Sequence, residues 1–561
     1  MVNKIKVTPK RKNDPVFTGY IYIADDSWRI CSTDLYITGD QQVEFVDTFR
    51  IRQQYLPVDS SVWLPFSCQL SYYFSAFGFA GNGIVLGVFS NYDLHPGIPE
   101  GFFNREVLKV NSDANKKDST YWTQSRPVPL TDIEQLDFHR RDSSRVIHES
   151  KRYLDSLDKK GNKFNLNNLL TGYYYANSYE HRTLSFSSAL QNIQFNTVEG
   201  WNAGMKVEFN QGRADDPREW TLGTDLRYGF SNRHYTQKIR YTSLYNMHTH
   251  GRFEVAAGKE VQQFNPGDPI NANINSVYSL WGRKNYMKLF DKIFMRAEHR
   301  SELFNGFMLT ARGEFARRMP LLNTSDFSFL KVHHRVYTSN DPQKPFSDEH
   351  PFLSHSIAVT EAEVRIRFAQ DYVDRPEGKF YSGSKFPVLK IFYRKAFAVN
   401  STAPDYDFMR LSLSRDRMSL GLLGSLSFNF SYADFLSDKR MYFMDWHHFN
   451  GNQTWLSTFR LDDFYGLPYY TYSTTGPSFE IHAEQDFGGF LLNKIPFIRK
   501  LKLKEIAGFH YLHTDQLNQY MEFTAGIEKL QSFRLQFYTS IADGRRSTIG
   551  VVFGIRRSFG L

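Results

Sequence analysis

Ile549-Gly-Val-Val-Phe-Gly-Ile-Arg-Arg-Ser-Phe-Gly-Leu561 ends the chain. Read at period two, Ile549, Val551, Phe553, Ile555, Phe559 and Leu561 share one face, interrupted by Arg557. The other face carries Gly550, Val552, Gly554, Arg556, Ser558 and Gly560. A long strand that is greasy on one side and small or polar on the other, finished by Phe-Gly-Leu, has the pattern of a closing strand in a transmembrane β-barrel. Arg556 then joins a polar lumen, and Arg557 sits near an interface where its head reaches water or phosphate.

The same period runs upstream. Trp201, Ala203, Met205, Val207 and Phe209 alternate with Asn202, Gly204, Lys206 and Glu208. Val364, Ile366 and Phe368 alternate with Glu363, Arg365 and Arg367, and Met521, Phe523, Ala525 and Ile527 with Glu522, Thr524 and Gly526. A soluble sandwich seldom sets Arg, Lys and Glu at successive inward positions opposite large aromatics, whereas a polar lumen accommodates them. Residues 172–561 are therefore expected to form an antiparallel barrel of about 16 strands, at roughly 24 residues per strand and connection.

Composition agrees. Aromatics make up 16% of the chain, with 50 Phe, 33 Tyr and 8 Trp, yet mean hydropathy is only −0.48. A barrel averages its lipid and lumen faces in this way, and a helical membrane protein does not. The longest nearly apolar run, 77–89, holds Asn82 and four glycines and is too short to span as a helix. Residues 1–7 are basic without an apolar segment, so no signal peptide is visible, and a longer exported precursor is expected. The net charge of +9, from 68 basic and 59 acidic residues, comes with no basic stripe or nucleic-acid module. Outer-membrane lipids or lipopolysaccharide are the more natural partners. Cys31 and Cys68 are the only cysteines, and an oxidising envelope would permit but not require their pairing.

Ahead of the barrel, residues 1–98 read as a periplasmic β-domain of short antiparallel strands, including Tyr20–Ile30, Asp34–Thr38, Val43–Ile51 and Gln69–Phe79. Their rhythm resembles the half-barrel of periplasmic lipoprotein carriers, which implies a lipid or protein client; an ordinary β-domain packed on its own core is the alternative. Residues 99–171 read as a polar connector. Thr131-Asp-Ile-Glu134 fits a capping box and opens a helix near 131–160.

No G-x-S-x-G, H-E-x-x-H or C-x-x-C motif is present, and adjacent histidines on a strand face opposite ways, so no metal, cofactor or catalytic residue is assigned. The densest polar block is Asp445-Trp-His-His-Phe-Asn-Gly-Asn-Gln-Thr454, followed by Glu480-x-His482-x-Glu484 and Asn493-Lys-Ile-Pro496. With Arg126-Pro-Val-Pro-Leu130 and Glu199-Gly200, these stretches resemble an outer-membrane family of unknown function whose longer members carry an N-terminal carboxypeptidase-regulatory-like domain. A looser architectural similarity is to Omp-eighty-five assembly and secretion barrels, in which a loop with an aromatic-x-Gly element enters the lumen; Phe449-Asn-Gly451 stands in that place here. The resemblance implies that Phe553, Phe559 and Leu561 form the recognition tag for the barrel-insertion machinery.

Asp445, His447, His448, Phe449, Gly451, Asn452, Gln453, Glu480, His482 and Glu484 are thus expected to form a lumen loop and a polar row, as a functional site or as hydrogen-bonded anchorage. Lys494, Arg499, Lys500, Lys502 and Lys504 would suit contact with phosphate-bearing head groups. The expected function is non-enzymatic work in envelope assembly, translocation or surface transport. A passive channel or nutrient receptor, or an outer-membrane hydrolase using the His and carboxylate row, are the alternatives.

Overall fold

A computed structural model describes all residues except 11–13, 26, 42–45, 60, 77–78, 115, 214–215, 348, 517–518, 530–532 and 556–561. The proposed insertion residues Phe559 and Leu561, and Arg556 and Arg557, lie outside the described residues; Phe553 lies on the last strand.

Strands Val2–Val7, Thr18–Ala24, Ile30–Thr38, Val46–Pro57, Trp63–Ala76 and Phe79–Val88 form a six-stranded antiparallel meander. Directly opposed residues share a face, so the register sorts the side chains. Ile5, Ile21, Leu35, Ile51, Leu70 and Val85 fall on one side. Lys4, Tyr22, Asp34, Arg52 and Gln69 fall on the other. Cys31 and Cys68 are both unpaired thiols.

The connector helix is two helices. The Thr131–Glu134 capping box opens Asp132–His148, and Ser150 caps a second, Lys151–Gly161, by accepting from the Tyr153 N–H. Neither buries a residue: Ile133, Leu136 and Val146 are exposed, so this segment holds its shape by caps and i,i+4 ion pairs such as Arg141–Asp137. Upstream of them, Glu106–Lys109 pairs in parallel with Asp371–Arg375, a hairpin arm between two barrel strands.

A nineteen-stranded sheet makes up the rest. Apart from the short segments Tyr173–Asn177, Ile193–Asn196 and Leu456–Ser457, sixteen strands follow in chain order. They are Arg182–Phe186, Gly200–Arg213, Asp216–Gly229, His234–Asn246, Gly251–Gln263, Leu289–Phe304, Phe307–Pro320, His355–Arg367, Val388–Phe397, Asp405–Ser419, Ser425–Arg440, Ser478–Asp486, Lys504–Thr514, Tyr520–Lys529, Phe533–Ala542 and Arg545–Ile555. Each pairs antiparallel with its successor. This is the expected transmembrane β-barrel. No helix among the described residues is long and apolar enough to cross a membrane.

The register sets the two faces. Ala483, Phe509, Phe523, Thr539 and Ile549 stand in one outward row, and His482, His510, Glu522, Ser540 and Thr548 in one inward row. Phe523 and Ile549 are exposed, while His482, His510 and Glu522 are buried. Apolar outside and polar inside inverts the soluble rule and suits lipid. Connections at one end are long (264–288, 321–354 and 441–477) and those at the other include the tight turns after Glu302 and Ser419.

Candidate functional site: a segment inside the lumen

Residues 441–477 run inside the barrel. Their contacts reach both ends of the strand order, which shows that the sheet curls around them. Leu456–Ser457 pairs in parallel with the last strand at Phe553 and Gly554, while the Trp455 N–H donates to the Tyr278 hydroxyl at 2.9 Å. Tyr469 packs with Val198, Ile270 and Met287 near the first strands. Phe449, Phe464 and Leu467 pack on Leu512 and Tyr520.

Polar anchors fix the segment. Asp445 accepts from Arg318 at 2.6 Å and from the Tyr406 hydroxyl at 3.2 Å, and its second oxygen accepts from the Tyr442 N–H. His447 makes a two-way backbone bridge with Thr474 and sets its ring 3.6 Å from Glu480. His448 meets the Ser473 hydroxyl through Nδ1 at 2.7 Å, and burial pushes its pKa down to about 3, so it is a neutral packing ring. The Phe449 carbonyl accepts from Asn265 at 3.2 Å. A Cβ on Gly451 would collide with the Leu467 carbonyl, so that close pass of two backbones requires glycine. Asn452 closes a local turn by accepting from the Thr454 N–H and hydroxyl at 2.9 and 2.8 Å, and Gln453 accepts from the Tyr469 N–H at 3.4 Å.

The Glu480, His482, Glu484 row exists and points inward. Its members go to different neighbours. Glu480 lies between His447 and His482, at 3.6 and 3.5 Å. His482 meets His510 through Nδ1 at 2.9 Å and is capped by the Phe464 ring. Glu484 receives Arg534, whose Nη2 lies 3.0 Å from it and 2.6 Å from Glu528. The row is an anchorage ladder with every member engaged. Among the described residues no group of His, Cys, Asp and Glu is arranged to hold a metal.

Glu522 was not singled out from the sequence, yet it accepts the backbone N–H groups of both Tyr465 and Gly466 at 2.7 Å, plus the Tyr520 hydroxyl at 2.8 Å. Arg318 and Arg534 escaped notice in the same way. Alternation marks such residues only as inward, and nothing local records a partner 50 to 127 residues away, as for Arg534 with Glu484, Glu522 with Tyr465 and Arg318 with Asp445. Of the basic cluster, Lys494, Arg499 and Lys500 lie in two short 3-10 turns after Ser478–Asp486, Lys502 follows them, and Lys504 opens the strand Lys504–Thr514. Lys494 covers the Phe490 ring at 4.1 Å, and the Arg499 side chain is outside the described part.

Two cavities, of about 760 and 650 Å³, lie beside the segment and share Gly267 and Arg460 in their linings. Lys238, Glu260 and Asp268 line the first, and Lys390, Arg410 and Glu480 the second.

The chain is similar in fold to BamA from Haemophilus ducreyi lacking POTRA domains 1–3, with a TM-score of 0.36 and 7% identity over 87% of this chain and 88% of that one. It is also similar to CdiB from Acinetobacter baumannii, with a TM-score of 0.31 and 10% identity over 65% of this chain and 57% of that one. No curated protein matches it. The C-terminal domain of a family of unknown function, DUF5686, matches residues 166–527 and the family's other domain matches residues 1–92, so the chain belongs to that family.

Proposed function

We propose that this protein is an outer-membrane barrel that moves or assembles envelope material through a lumen kept shut by residues 441–477. The observation that carries this reading is the anchorage of one internal segment to strands around the barrel, through Arg318, Glu522 and the parallel bridge to the last strand. A passive pore gains nothing from a segment anchored across its lumen, and a conduit that must open on demand needs such a segment. The outward apolar rows support the membrane setting.

A hydrolytic reading of the His and carboxylate row is less well supported. His482 is wholly buried behind Phe464 and His510, with no face toward either cavity. Catalysis needs a reacting atom within hydrogen-bond reach of the base. We infer that the row acts in anchorage.

Conductance tests the reading. Glu522→Ala strands two buried N–H groups, each costing about 1–3 kcal/mol. Planar-bilayer recordings should show a wild-type protein that is mostly closed and a variant with frequent large openings. A steady, large wild-type conductance that the substitution leaves unchanged would remove the gated reading.

A further inference from the structure

We propose that the second cavity is a binding site for a phosphate-bearing ligand, held by Lys390, Arg410 and Arg415. The inference rests on reading the lumen as the working compartment.

Charge pairing on the inner wall is uneven. Towards the long-loop end and midway, cations and carboxylates match: Lys292 with Glu260 and Glu314, Arg296 with Glu254, Arg312 with Glu298 and Glu361, Arg394 with Glu361. On Val388–Phe397 and Asp405–Ser419, nearer the short turns, three cations go without an ion pair among the described residues. Lys390 makes no hydrogen bond or ion pair among the described residues. Arg410 does no more than lean over the Phe392 ring, at 5.8 Å. Arg415 buries Nε and Nη1 with no hydrogen-bond partner for either. All three line the 650 Å³ cavity, together with Ser412, Ser414 and Asn429.

The carboxylates lining that cavity are engaged. Arg312 and Arg394 hold Glu361, Arg365 holds Glu363, Arg318 holds Asp445 and Arg460 holds Asp462. Asp416 accepts from Ser427. The sheet register adds an independent sign. Arg365 lies directly opposite Lys390, and Lys390 opposite Ser412, which puts Arg410 on the adjoining diagonal. Like charges set opposite each other across a ladder destabilise it, and here Glu363 offsets Arg365 alone, leaving Lys390 without an ion pair among the described residues. Three cations without an ion-pair partner among the described residues, with two hydroxyls and an amide turned into the same space, supply donors from several directions. A tetrahedral dianion uses such a set better than a planar monoanion does. The volume fits a phosphorylated headgroup or sugar, and Phe392, Phe408 and Phe435 line an apolar side of the same cavity.

The test is calorimetric titration of the whole chain in dodecyl maltoside, with sn-glycerol 3-phosphate and with lauroyl lysophosphatidic acid as separate probes. Saturable binding of at least one probe is expected, weakened tenfold or more by Lys390→Gln combined with Arg410→Gln and likewise by Ser412→Asp. Arg240→Gln, which removes a lumen cation already paired with Glu208, should leave binding unchanged. Binding of both probes assigns the site to the phosphate group itself, and binding of the lysolipid alone assigns it to a lipid headgroup. Absence of saturable binding by both probes overturns the proposal, as does an equal loss in Arg240→Gln. Heat-modifiable electrophoretic mobility, measured on every variant, reports failure of the barrel separately from failure of the site.

Discussion

Arg534 is gripped from two sides, by Glu484 and by Glu528, and its side chain is fully buried. Arg534→Met would leave two carboxylates enclosed with nothing to neutralise them, a loss of about 3–5 kcal/mol. Arg534→Lys keeps the charge but not the planar fork and should lose less. Urea unfolding in detergent, followed by heat-modifiable mobility, should rank wild type above Lys and Lys above Met; equal midpoints would show that the network carries no stability. At this scale the sequence was half legible. Period two told that Glu480, His482, Glu484 and Glu522 face inward. It could not tell that Glu522 would hold two backbone N–H groups from the inserted segment, because the partner choice is set by how far that segment reaches across the lumen.

Elements add what residues cannot. The Asp445–Thr454 stretch stood out by composition, and its entry into the lumen was expected from the Phe449-Asn-Gly451 resemblance. The long 321–354 connection is tied down by Lys288, which donates to the Thr338 hydroxyl at 2.7 Å and to the Ser339 carbonyl. Burial pushes the Lys288 pKa down to about 7, with Asp341 opposing. Its ordinary value is about 10.4. Between these two values the undocked loop binds more protons than the docked one, so docking strengthens as pH rises through this window and weakens towards pH 7. Limited proteolysis within 321–354 should therefore slow from pH 7 to pH 9 in the wild type and lose that dependence in Lys288→Met. Cleavage that accelerates with pH relative to an unfolded control would contradict the assignment.

The architecture of the whole molecule was the most legible part of the sequence, since a transmembrane barrel writes its rule at every second residue. The expectation of about sixteen strands meets a sheet of nineteen among the described residues, sixteen of them in one unbroken antiparallel series. The folding inward of 441–477 and the uneven charge pairing of the wall were not legible, because both depend on which strands the register places side by side. The central claim is that this segment occupies the lumen and rests on the last strands. Gly466 would bring a Cβ to 2.5 Å from the Thr548 hydroxyl, close enough for a disulfide between the two positions. In a background with Cys31→Ser and Cys68→Ser, Gly466→Cys with Thr548→Cys should cross-link on mild oxidation of intact membranes, while either single variant should not. Free thiols at both positions, open to a membrane-impermeant reagent under the same conditions, would contradict the account.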